Sequence, residues 1–420
     1  MKKSAALLCL MVTALVNMVF AAEGRSPRGV PDLDHVFLIM MENHGYSQIL
    51  NNPNAPFINQ LNSSANSATN YFAVAHPSLT NYLEVVGGSN FGVLTDNAPD
   101  WHNSTCTTNL ASGTVATDAP ASPNICPIHG SGTDAATPAQ DFTNETQGPP
   151  PENNIDGVKS IPAASNTSGK TIADQLVAHG RSWKSYQENL PLGSIDGVNY
   201  SDGFFTNLTD FSKILPALTP PLTSSNIVQL YAAKHNPFVY FRDVQEGQDP
   251  HNSLRNVVGF DGPRGLYADL SSGRVPSFSF IVPNQCNDQH GRGNAGPFCN
   301  FDPTDNGTQA GLNPALIYLG DVTVERLVTA IKKSPAWRKG RNAIIVVWDE
   351  NDYSLAPNIN QVMMIVDTSY GSHGVQSNRF YTHFSLLKSI ESAFDLPCLN
   401  HACDDNVQVM SDLFGERDRY

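Results

Sequence analysis

The run His35-Val-Phe-Leu-Ile-Met-Met41 is unbroken in its apolar character and stops at Glu42-Asn43. Two further runs end in the same way. Phe278-Ser-Phe-Ile-Val282 leads to Asn284, Asp288 and His290, and Ala343-Ile-Ile-Val-Val-Trp348 runs into Asp349-Glu350. Apolar runs of this length read as buried strands, and in open α/β sheets ligands bind just beyond the strands' carboxyl ends. Three strands therefore aim hard donors at one place.

Around these runs, strand and helix patterns alternate. A helix-compatible segment near 55–66 precedes a strand at 71–75. After a stretch rich in Asn, Thr, Ser, Pro and Gly at about 97–168, read as a polar insertion of loops, come a helix at 171–179 and a strand at 182–188. A helix near 225–234, a strand at 237–241, the strand ending at Val282, a helix at about 319–334 and the strand ending at Trp348 follow. An edge strand at 361–366 and a helix at 383–394 complete the series. Alternation of this kind predicts an α/β protein with a mainly parallel central sheet flanked by helices.

The chain has 420 residues and a 40% hydrophobic fraction, enough for a sizeable core. Met1-Lys2-Lys3, the apolar stretch Ala5 to Phe20 and then Ala21-Ala22 match a secretory signal peptide over 1–22, so 23–420 is expected as one exported domain, secreted or periplasmic. No later stretch is long enough for stable membrane insertion. Without Lys2 and Lys3, 23 of the 25 basic residues face 39 acidic ones, a balance of −16 that disfavours nucleic acid and anionic lipid surfaces. Cys9 leaves with the signal. The remaining six cysteines form the sequence-local couples Cys106–Cys126, Cys286–Cys299 and Cys398–Cys403, the pairing expected among the 15 that six cysteines allow. Closure of Cys286 onto Cys299 would staple the loop that carries Asp288 and His290.

In His76-Pro-Ser-Leu-Thr-Asn-Tyr-Leu-Glu-Val-Val-Gly-Gly88 the residues Leu79, Tyr82, Leu83 and Val86 have helical spacing, which puts Ser78 at a helix start. Free N–H groups and the positive dipole end favour phosphate there, although a serine before a helix is more often only a cap. Glu42, Asn43, Asp349 and Glu350 offer oxygen ligands for a hard divalent cation such as Mg²⁺, Mn²⁺ or Ca²⁺. Asp288, His290 and His383 would add a mixed N/O set tolerant of Zn²⁺. A cation beside Ser78 would lower its hydroxyl pKa and polarise a phosphoryl oxygen. His383 opens the last helix, with Leu386, Leu387, Ile390 and Phe394 as the buried stripe. His373 reads equally as a surface-loop residue, and Lys234-His235 precedes a strand rather than following one, so topology does not place that pair at the site.

Five motifs in order resemble the secreted phosphoesterase family that includes acid phosphatases, bacterial phospholipases C and a mycobacterial phosphoinositide phosphatase. They are Met-Glu-Asn at the end of the first strand, His-Pro-Ser-x-x-Asn-Tyr, Pro-Asn-x-x-Asn-Asp-x-His, Trp-Asp-Glu and Thr-His-Phe-Ser-Leu-Leu, spread from about His35 to Pro397. The resemblance implies an alkaline-phosphatase-like fold with loop-rich insertions, Ser78 as nucleophile, and Glu42, Asn43, Asp349 and Glu350 as ligands of one or two divalent metals that Ser78 also meets. It further implies Asp288, His290 and His383 as site residues, and His76, Lys234, His235 and His373 as substrate-binding groups. Thr80 stands where proline is common in that family.

The expected activity is hydrolysis of small phosphomonoesters or phosphoinositide-like substrates through a phosphoserine. Two alternatives stay open: a phospholipase C-type phosphodiesterase, and a secreted metal-binding or adhesive module that keeps the fold without the chemistry.

Overall fold

A computed structural model describes residues 23–99, 125–135, 166–191, 228–293, 295–304, 306–351 and 360–415, with a few short pieces between 140 and 221. The expected signal peptide at 1–22 lies outside the described residues, as do Cys106 and most of the polar insertion.

Eight strands make the main sheet: β1 (His35–Met41), β2 (Asn66–Ala68), β3 (Trp183–Gln187), β4 (Val257–Gly259), β5 (Phe278–Val282), β6 (Asn342–Trp348), β7 (Met364–Thr368) and β8 (Gln376–Ser377). Their order across the sheet is β8-β2-β7-β6-β1-β5-β3-β4. The ladders β6-β1-β5-β3-β4 are all parallel. β7 is antiparallel to both its neighbours and is the one strand of this sheet that runs the other way. β1, β5 and β6 can be continuous apolar runs because both faces of the sheet are covered. Helices Pro56–Ser64, Leu266–Ser272 and Pro314–Lys333 pack together, while Ser78–Gly87, Ile172–Ala178 and His383–Phe394 form a second group. Every β1 residue after His35 is buried, as is all of β5 and β6. At about 1.5–3 kcal/mol for each large apolar side chain, these strands form the centre of the core.

Four expected elements differ. The strand at 361–366 is β7, shifted to Met364–Thr368 and interior rather than at the edge, because the true edge is made by the short polar strands β2 and β8, which carry no apolar alternation. The strand at 71–75 is only Tyr71–Phe72, paired with Tyr381–Thr382 in a separate two-stranded sheet. It stops there because the N–H groups of Val74 and Ala75 donate to the Asn81 side-chain oxygen, which ends the ladder. At 225–241 neither the helix nor the strand is found among the described residues. Residues 228–232 are irregular, and two 3-10 turns, Ala233–His235 and Pro237–Tyr240, follow. A short buried apolar run cannot be assigned by periodicity alone, and Pro237 lacks the N–H that a ladder needs.

Cys286–Cys299 and Cys398–Cys403 are disulfides, as expected. Cys126 is also disulfide-bonded. No helix among the described residues is long and apolar enough to cross a membrane.

Candidate active site

Helix Ser78–Gly87 is buried along its whole length and ends at Gly88, whose left-handed φ of 67° closes the cap. Ser78 is its first residue. The Ser78 hydroxyl lies 3.0 Å from Glu350 Oε1 and 3.3 Å from Glu42 Oε2, so the ends of β1 and β6 meet the helix start at one oxygen. Asn81, one turn along, donates to Glu350 Oε2 at 3.1 Å and thereby fixes that carboxylate. The Asn43 backbone N–H donates to Asp349 Oδ1 at 3.2 Å. With its NH2 turned inward, the Asn43 amide donates to Glu42 Oε2 and Glu350 Oε1, both at 3.2 Å; reversed, it would present another oxygen to the same point.

The other oxygen of Glu42 faces a second group. His235 Nε2 is 2.9 Å from Glu42 Oε1, and His235 Nδ1 is 3.3 Å from Asp288 Oδ2. The ring stacks on Tyr82 with centroids 5.3 Å apart. Glu42, His235 and His290 each offer a ligand atom, all within 4.8 Å of one another. Glu42 is thus shared by two donor sets, one around Ser78 and one around His235.

The electrostatics show what this arrangement lacks. Burial raises the Glu42 carboxyl, but His235 outweighs it and holds Glu42 at about 2. Burial lowers His235, and Glu42 with Asp288 more than reverses this, to about 10. Burial pushes Asp288 up to about 7 against the pull of His235. Asp349 and Glu350 are driven well above the carboxylate range by burial and by the neighbouring acids. The His235 imidazolium, with a Lys234 ammonium that is already paired with Asp96, cannot balance four buried carboxyl groups. Moreover, Glu42 Oε1, His235 Nε2, Asp288 Oδ2 and Asp349 Oδ2 are buried without a hydrogen-bond partner among the described residues. The close His235–Glu42 contact is therefore an ion pair with poor hydrogen-bond alignment. Orphaned atoms of this kind cost about 1–3 kcal/mol each, and a divalent cation would satisfy a set made of carboxylates, an amide and imidazoles.

Lys234 is buried beside this set, its Nζ 2.8 Å from Asp96 Oδ2 and 3.2 Å from His290 Nε2. Its neighbour Asp96 also accepts from the Leu79 N–H at 2.9 Å, so a carboxylate takes the helix-start donor expected to meet phosphate. His290 is oriented by its Nδ1–H, which donates to Gly291 O at 2.8 Å, and by its backbone N–H on Asp288 Oδ1. Between Asp288 and His290, Gln289 has a positive φ of 83°. It is held there by Trp348 Nε1–H on its oxygen and by its own donation to Ile317 O, both at 2.9 Å. The Gln289 side chain crosses helix Pro314–Lys333 at Gly320, where a Cβ would come within 2.3 Å of Gln289 Cγ.

The structure thus brings together Glu42, Asn43, Ser78, His235, Asp288, His290, Asp349 and Glu350, with Lys234 against His290. His76 stands nearby, its Nε2 4.0 Å from Glu350 Oε2. His383 is adjacent but fully engaged. Its Nε2–H donates to the Asp349 carbonyl at 2.6 Å, and its Nδ1 accepts from the Tyr71 hydroxyl at 2.8 Å. Burial lowers it to about 4, so it is a neutral ring that holds the turn after β6. His373 is not brought to the site. It is half exposed near Asp367, at the opposite end of the sheet because β7 runs in reverse. Asn81, Asp96 and Gln289 are site neighbours to which sequence reasoning assigned no role. Asn81 lies inside the quoted motif, Asp96 in polar loop sequence without pattern.

The sequence pattern of the Phosphoesterase family matches residues 48–297, more than half of the chain. The chain belongs to the Phosphoesterase family. Among relatives of this chain, an acid phosphatase of Aspergillus fumigatus is 23% identical over 88% of this chain and 57% of its own length. A phosphate-repressible acid phosphatase of Penicillium chrysogenum is 25% identical over 81% and 55%. A phosphatidylinositol-3-phosphatase of Mycobacterium tuberculosis is 22% identical over 98% and 92%. The chain therefore spans little more than half the length of the two fungal relatives. Its structural neighbours include a protein in the alkaline phosphatase superfamily from Vibrio parahaemolyticus, with TM-score 0.40 and 12% identity over 91% of this chain and 72% of that one. Another is a phosphonate monoester hydrolase of Agrobacterium radiobacter, with TM-score 0.43 and 12% identity over 92% and 78%.

Proposed function

We propose that the protein is an exported, divalent-metal-dependent phosphomonoesterase of the acid phosphatase type that works through a phosphoserine at Ser78. One observation carries this reading. The hydroxyl of a serine at a helix start lies within reach of two buried carboxylates, Glu42 and Glu350, inside a donor set in which four buried atoms find no hydrogen-bond partner among the described residues. The fungal acid phosphatases and the mycobacterial phosphatidylinositol-3-phosphatase support the same class, with small phosphomonoesters and phosphoinositide-like esters as substrates.

Glu42, Asn43, Asp349 and Glu350 would hold the cation, with Asp288 and His235 adjoining through Glu42. Bound there, the ion would lower the Ser78 hydroxyl pKa and draw charge from a phosphoryl oxygen. Ser78 Oγ passes its proton to a facing carboxylate and attacks phosphorus in line, and Asn81 keeps Glu350 aimed at it. Lys234 balances charge on the equatorial oxygens. Lys234 Nζ–H donates to His290 Nε2, so the proton that this pair shares passes through the imidazole to the departing alkoxide, and water then cleaves the phosphoserine to inorganic phosphate. His383 acts as a positioning residue through the Asp349 carbonyl.

The test is hydrolysis of p-nitrophenyl phosphate by the mature protein across acid to alkaline pH, with and without EDTA. Because the Lys234–His290 pair must carry its shared proton, activity should fall as alkaline pH strips it; a rate rising steadily into alkaline pH would remove the pair from that role. Gly320→Ala offers a second check. It should favour the helix by about 1 kcal/mol in propensity yet, by displacing Gln289 and with it Asp288 and His290, lower kcat roughly tenfold. An unchanged kcat in steady-state assays would show that the Gln289 contact does not hold the loop.

A further inference from the structure

Two of the five exposed large hydrophobic side chains among the described residues, Phe298 at 67% and Phe301 at 45%, lie on the loop that follows His290. A solitary exposed phenylalanine needs no explanation. Phe301 differs because the loop holds it rigidly against the site. The Cys286–Cys299 disulfide closes the loop two residues before it. One residue after it, Asp302 accepts from the Asn313 backbone N–H at 2.6 Å and meets His44 Nε2 at 3.0 Å. His44 in turn uses Nδ1 on the Glu42 carbonyl at 3.0 Å, which ties Phe301's neighbour to the backbone of the central carboxylate. The Phe301 ring packs edge-to-face on His290 with centroids 6.0 Å apart.

We propose that Phe301, flanked by Phe298, is the leaving-group subsite and sets a preference for phosphomonoesters of apolar, planar alcohols over those of small polar ones. The inference rests on the phosphomonoesterase reading, in which His290 protonates the departing oxygen. The group attached to that oxygen then emerges beside the ring packed on His290. Because the ring is already immobilised, a planar leaving group gains stacking area without ordering a loop first. A polyol leaving group gains nothing from the same surface.

The experiment compares p-nitrophenyl phosphate with glycerol 2-phosphate in wild type, Phe301→Ala and Phe301→Tyr. Phe301→Ala should raise KM about tenfold more for the aryl ester than for the glycerol ester, whereas Phe301→Tyr should keep the aryl preference. Equal changes on both substrates, or none, would overturn the subsite. Calorimetric binding of 4-nitrophenol to wild type and Phe301→Ala gives a readout independent of turnover. Weaker binding in the variant of a catalytically silent protein would leave the subsite standing and remove the phosphatase reading; equal binding would remove the subsite whatever the activity.

Discussion

Ser78→Ala is expected to lower kcat for p-nitrophenyl phosphate by at least about 10⁴-fold, since a nucleophile that acts as a unit with its activating groups costs nearly the whole of that unit when removed. The fold should survive. The side chain is buried at a helix start, but its hydroxyl contacts only Glu42 and Glu350, so the loss should stay near 1–2 kcal/mol and appear as a small fall in Tm. Radiolabelled phosphate should remain on wild-type protein quenched during turnover and be absent from the variant. Retained turnover in Ser78→Ala would sink the phosphoserine mechanism and leave Ser78 as a buried first residue of its helix, hydrogen-bonded to Glu42 and Glu350.

Removing divalent metal should be nearly as damaging. Several kcal/mol of transition-state charge would go unmet, so EDTA should reduce kcat by roughly 10³-fold or more, with recovery on readdition of Mg²⁺, Mn²⁺, Ca²⁺ or Zn²⁺. Stability supplies a separate readout. The four buried carboxylates repel one another, and a cation at 100 times its dissociation constant should add about 2.7 kcal/mol and raise Tm measurably in calorimetry. Glu42→Gln should abolish both responses, because Glu42 faces Ser78 with one oxygen and His235 with the other. A chelated protein with full activity and an unshifted Tm would show that the donor set holds no ion. Titration stoichiometry separates one cation from two; a second would draw His290 into ligation and leave the leaving group to another acid.

The central sheet was legible because β1, β5 and β6 are buried on both faces and so appear as apolar runs that end where the chain meets the ligand edge. Glu42 and Asp349 mark those ends, and Ser78 is marked by the helical stripe behind it. Lys234 and His235 were harder. They sit in a 3-10 turn that has no period, and only the folded chain shows that the turn lies across from β1. Asp96 was invisible for a related reason, since a lone acid in polar loop sequence carries no sign of the buried lysine it meets. His383 and His373 show the opposite error: chemically suitable rings whose positions depend on a carbonyl and on the direction of one strand.

The placement of β1 also bears on how the protein is made. Val36 pairs with Phe278 on one side and Ala343 on the other, so the earliest strand synthesised waits for partners more than two hundred residues later. Until they emerge it is an apolar segment with two open edges, the kind of intermediate that aggregates or engages a chaperone. Loop closures this long make for slow folding. Ser78, Glu42 and Glu350 cannot meet before β6 docks on β1, so this constellation forms with that long-range ladder rather than with collapse.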